Sequence, residues 1–183
     1  MKYHAPALLI SLALVSSAPF AEPAAAQAQG TSPLEQFDAF LGDGSCTGRV
    51  MAMGHSPGHA TRGRIHGEKT LDGRWIAVRF DELGSAGSTN LYHVIQYFGY
   101  DRKAARLVDV VIDTSGSSSA TGHSSGWRGN RITFENTENT NGKPAPFRDV
   151  FTRLGAGEVS HAGFMRDKSG KWVKADEETC HLS

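Results

Sequence analysis

Long apolar runs are missing from this 183-residue sequence after its first fifteen positions. Nothing downstream can cross a membrane as a helix, which takes about 20 consecutive apolar residues. An excess of one charge is also missing: 19 basic residues meet 19 acidic ones. A nucleic-acid binder needs a basic face to displace counterions, so a nucleic-acid partner is not expected. Cysteine is scarce: Cys46 and Cys180 are the only two, and neither sits in a C-x-x-C or C-x-x-H spacing. Half of a metal site is therefore the poorer reading of the pair, and a disulfide in an oxidising compartment the better one. Amphipathic helical periodicity is missing too, beyond one short stretch near the start. Strand–helix alternation, and with it a parallel sheet, is excluded.

What is present begins with a leader. Lys2 precedes the apolar run Ala7–Val15, and small residues follow, with A-x-A sites ending at Ala26 and Ala28. This pattern predicts a removable signal peptide over residues 1–28 and a single domain over 29–183. The expected location is periplasmic or secreted, with no membrane insertion after cleavage.

Residues 27–31 read as a join. Ser32–Gly42 then reads as one short helix, with Ser32 as N-cap, Pro33 at the first turn and Gly42 as the stop. Leu34, Phe37, Phe40 and Leu41 fall on one face. Beyond Gly42 the period changes to two. Strands are expected over Cys46–Met53, His59–Glu68, Trp75–Glu82, Leu91–Tyr100, Arg106–Asp113, Arg131–Asn136, Phe147–Leu154, Glu158–Met165 and Trp172–Cys180. Asp72-Gly73, Asn141-Gly142 and Ser169-Gly170 mark turns. The fold class is all-β: an antiparallel up-and-down barrel of about nine or ten strands, with the helix capping one end. A meander this long leaves two bare edges unless it closes. Closure sets the first strand beside the last and predicts a Cys46–Cys180 disulfide across the seam.

The segments Leu71-Asp72-Gly73-Arg74-Trp75, Phe98-Gly99-Tyr100-Asp101, Ser125-Gly126-Trp127, Phe147-Arg148-Asp149 and Asp176-Glu177-Glu178-Thr179-Cys180 span nearly the whole mature chain. They resemble a family of secreted bacterial calycin-like barrels that has no established activity. The resemblance implies fold and compartment and imports no mechanism. Phe37–Gly42 running into the first strand is similar to the entrance of lipocalin and nitrobindin-like barrels. The lipocalin Gly-x-Trp is Gly42-Asp43-Gly44 here. Nitrobindin-like proteins bind haem through a barrel histidine, but their Gly-x-Tyr-Pro-Thr stretch is absent, and no cofactor is expected.

Chemical motifs are few. Gly54–Gly58 and Gly122–Gly126 each match G-x-S-x-G, which acts as a nucleophile elbow only on a strand-to-helix turn. No helical pattern follows either, so Ser56 and Ser124 read as turn residues, not nucleophiles. His55, His59, His66 and Glu68 form the densest group of metal-ligand types, but nothing in their spacing enforces a site. The remaining candidates are charged strand faces. If the mixed faces turned inward, His66, Arg79, His93 and Tyr97 would line a ligand pocket. The aliphatic sets Ile76, Val78, Phe80 and Val108, Val110, Ile112 make the more natural interior. The expected function is non-catalytic binding of a small apolar or amphipathic ligand. The alternatives are an enzyme acting at the barrel mouth and a structural envelope protein with a filled core.

Overall fold

The computed structural model describes residues 32–183, apart from 55–56, 85–90, 115–118 and 141. The expected leader, the join before Ser32, His55, Ser56 and the Asn141 turn position lie outside the described residues.

A 3₁₀ helix, Glu35–Phe40, comes first. It is tighter than the helix expected, and its Ser32 cap acts on the turn before it, where the hydroxyl accepts the Leu34 N–H at 3.3 Å. Ten strands follow: β1 Gly42–Val50, β2 His59–Thr70, β3 Trp75–Glu82, β4 His93–Asp101, β5 Arg106–Asp113, β6 Ser119–Ser124, β7 Arg131–Thr140, β8 Lys143–Gly155, β9 Glu158–Arg166 and β10 Trp172–Leu182. Each pairs antiparallel with its neighbours in sequence, and β1 pairs with β10, so the sheet is a closed barrel. Closure removes both edges, which a meander of alternating strands would otherwise expose.

The seam is stapled. Cys46 and Cys180 face each other in the β1–β10 register and are joined by a disulfide. The bond is compatible with an extracytoplasmic protein.

One strand has no counterpart in the expected set. β6 holds Gly122, His123 and Ser124 of the second G-x-S-x-G match, which was read as a turn. Its six residues are mostly Ser, Gly, Ala and His, with little β propensity; pairing with β5 and β7 holds it in the sheet. Ser124 is buried and its Oγ accepts the Gly126 N–H at 3.1 Å.

The helix plugs one end. Phe37 is fully buried, stacked on Phe98 at 4.5 Å between ring centroids and edge-on to Trp127 at 5.4 Å. Phe40 meets Phe151 edge-on at 5.7 Å. With Ile76, Leu107, Ile132 and Phe134 these rings belong to one buried core cluster.

Strand faces split as the period of two requires, with one reversal of expectation. Val78 and Phe80 on β3 and Val94 on β4 line the interior. On β5 the expected interior face, Val108, Val110 and Ile112, points outward, and Ile112 is 53 % exposed. Leu107 joins the aromatic plug instead, and that parity carries Asp109, Val111 and Asp113 inward. A one-residue shift in parity exchanges the whole set of side chains between faces, so one anchored Leu decides the strand.

Candidate functional site

Between the plug and the opposite end lies a cavity of about 500 Å³, within the range of small-molecule sites. Its wall is partly apolar, with Ile65, Val78, Phe80, Val94, Val111, Phe147, Phe151 and Met165. The polar part has two levels.

Near the open end, Glu82, Tyr92 and Asp113 stand at the strand termini with His59, and Glu138 sits close to the end of β7. His59 Nε2 is 3.6 Å from Glu82 Oε1, and the Tyr92 hydroxyl donates to Asp113 at 3.4 Å. Burial, reinforced by the charge of Asp113, pushes the Tyr92 phenol far above its ordinary range.

Deeper in, a polar belt crosses six strands. Gln96 on β4 donates to Asp109 on β5 at 2.9 Å. Asn136 on β7 donates to Asp109 at 3.1 Å and also to Asp149 on β8. Asp149 Oδ1 lies 2.7 Å from His161 Nε2 on β9. The other ring nitrogen, Nδ1, is 3.1 Å from Glu178 Oε2 and 3.4 Å from Asp176 Oδ1, both on β10.

Two glycines and a bulge make this belt possible. Gly122 separates Asp109 from Asn136 in the register of β5, β6 and β7. A Cβ there would come within 1.4 Å of Asn136 Oδ1, so only glycine lets Asn136 reach across β6. Gly163 lies between Asp149 and Asp176 in the same way, donates its N–H to Asp176 Oδ1 at 3.2 Å, and would place a Cβ 2.6 Å from Oδ2. The register of β9 and β10 shifts between Lys174 and Asp176. Val173 pairs with cavity-lining Met165 before the shift, and Asp176 pairs with Gly163 after it. The extra residue, Ala175, changes the parity, which turns Asp176 and Glu178 inward. Bulges re-aim side chains in this way.

The belt's protons follow from burial and charge. Burial, reinforced by the charge of Asp149, pushes Asp109 up to about 8 against the lowering bonds from Asn136 and Gln96. Burial likewise raises Asp176 to about 6, against the lowering pull of His161. For His161, burial favours the neutral ring, but its hydrogen bonds to Asp149 and Glu178 and the charges of Asp149 and Asp176 outweigh it and raise the ring well above its ordinary value. Carboxylates facing both ring nitrogens thus favour an imidazolium that donates from each.

His161, Asp176 and Glu178 offer ligand atoms within 4.8 Å of one another, the group among the described residues suited to a divalent ion. The sequence group is divided instead: His59 faces the cavity, while His66 and Glu68 lie on the outward face of β2, and no single ion can bridge them.

None of the four residues named for an inward mixed face lines the cavity. His66 is half exposed and paired with Asp43 at 2.8 Å. Arg79 and His93 both hold Asp81 on the outer wall, each at 2.7 Å. Tyr97 stands between Ala77 and Val110 on that same face. The inward positions on these strands belong to Ile65, Val78, Val94 and Gln96. The belt residues Asp109, Asn136, Asp149, His161, Asp176 and Glu178 were missed as site residues. One signal was available: Glu178 lies two residues from Cys180, so the seam disulfide puts it on the inner face.

No family model and no curated protein sequence matches this chain. Among solved structures it is similar to the crystal structure of Rv2717c from M. tuberculosis, with 12% identity, a TM-score of 0.65, and coverage of 82% of this chain and 97% of that one. The likeness is one of fold, in agreement with the closed ten-stranded antiparallel barrel.

Proposed function

We propose that the protein is an exported, non-catalytic barrel that binds a small amphipathic molecule in its interior. The observation that carries this reading is the cavity of about 500 Å³, apolar along much of its wall and polar at a defined belt. Small-molecule sites have this composition: an apolar lining with a few placed polar groups that orient the ligand. The structural alternative calls for a filled core, and the cavity weighs against it. Ser124 adds no nucleophile, since it is a strand residue with its Oγ engaged by Gly126. Export is supported by the leader pattern and by the seam disulfide.

Native mass spectrometry of protein isolated from its own source tests the reading. A retained small molecule, lost on unfolding, is the expected result. Protein that carries no added mass and takes up no apolar probe would count against it.

A further inference from the structure

We infer that the interior ligand is an organic cation, an amine or amidine carrying an apolar body. This rests on the binding role proposed above and adds the ligand's charge. Glu82, Asp113, Glu138, Asp149, Asp176 and Glu178 line the cavity, whereas its basic groups among the described residues are two histidines, with no Lys or Arg. By formal count, six carboxyl groups against two histidines leave the wall an excess of four acidic groups. Bulk acidity does not explain this, because the chain as a whole has a formal charge of zero. Charge is sorted by face: Arg49, Arg79, Arg148 and Lys174 engage carboxylates outside the cavity. The connections outside the described residues, 55–56, 85–90, 115–118 and 141, contain no Lys or Arg either.

A wall of one sign with low-dielectric surroundings attracts the opposite sign and repels its own. The two acidic levels divide that work. Glu82, Asp113 and Glu138 at the open end meet an incoming cation first. Asp176 Oδ2 and Glu178 Oε1, the carboxylate oxygens that do not face His161, then accept hydrogen bonds from its head. Burial opposes the charge on Asp176, and a cation docked against it favours the ionised form. Phe80, Phe147 and Phe151 line the same space and supply apolar and aromatic surface for its body. A bare divalent ion at His161, Asp176 and Glu178 would use one corner of this space. It would leave the apolar wall without a role.

Three probes with one body separate the possibilities: 4-butylbenzylamine, 4-butylbenzyl alcohol and 4-butylbenzoate, titrated calorimetrically into the intact disulfide-bonded protein at pH 7.5. The amine is expected to bind about tenfold or more tighter than the alcohol, the equivalent of one charge-assisted hydrogen bond, with the benzoate weakest. Glu178→Gln, and separately Asp176→Asn, should bring the amine-to-alcohol affinity ratio down towards one; the melting temperature of each variant confirms folding. Alcohol or benzoate binding as tightly as the amine would overturn the charge assignment and leave the binding role standing. So would failure of the amine while the neutral probe N-phenyl-1-naphthylamine binds. Failure of all four molecules would overturn both readings together.

Discussion

Gly122→Ala should be among the most damaging single-methyl additions in this barrel. The new Cβ would lie 1.4 Å from Asn136 Oδ1 and 2.5 Å from its Cγ, so the Asn136 side chain must leave. Its amide then stops donating to Asp109 and Asp149. The two bonds together are worth about 3 kcal/mol. The Glu135 carbonyl, 2.8 Å from the same Cβ, must also give way, and such overpacking costs about 1–3 kcal/mol more. The total, about 4–6 kcal/mol, is a large share of the stability of an ordinary domain. It corresponds to a loss of about 10–20 °C in melting temperature. Urea unfolding followed by tryptophan fluorescence, with the disulfide intact, measures it. Asn136→Ala deletes the same two bonds, so the double variant should fall short of additivity by about 3 kcal/mol. A Gly122→Ala protein within about 0.5 kcal/mol of the parent, or strict additivity with Asn136→Ala, would refute the claim that Asn136 crosses over this glycine.

Stability should fall as pH rises from 5 to 9. Across that range the folded chain keeps protons the unfolded chain has lost, on Asp176 up to about 6, on Asp109 up to about 8 and on His161 above its ordinary value. The carboxyls held low, Asp81, Asp167 and Glu177, act with the opposite sign, but below about pH 4, outside this window. Calorimetric melting temperatures should therefore decline towards pH 9, with a shallower slope in Asp109→Asn; a rise would contradict the protonation of the belt. Reduction of Cys46–Cys180 opens a loop spanning 134 positions and should cost roughly 5 kcal/mol in the chain-entropy model. Equal melting temperatures with and without reductant would show that the seam closes unaided. Phe37→Ala, at a fully buried ring packed on Phe98, Trp127 and Phe134, should cost about 3–5 kcal/mol. An unchanged urea midpoint would show that the helix does not plug the barrel.

The all-β class, the up-and-down order and the seam disulfide were legible in the chain alone. Each rests on local signals: period-two alternation, turn residues, and two cysteines placed in the first and last strands. Strand parity was legible where an aliphatic face met a polar one, as on β3. On β5 both faces carry valines, and only the packing of Leu107 into the plug decided that Asp109 and Asp113 point in. β6 was hidden because its residues have little strand propensity and are held by their neighbours on both sides. The polar belt was out of reach for a further reason. It joins β4, β5, β7, β8, β9 and β10, and its members face one another only after the sheet closes. Its geometry also depends on Gly122 and Gly163 leaving room in the wall, and on a bulge that reverses the parity of β10. The inner face of a barrel is a property of closure, register and bulges together, and these belong to the tertiary structure.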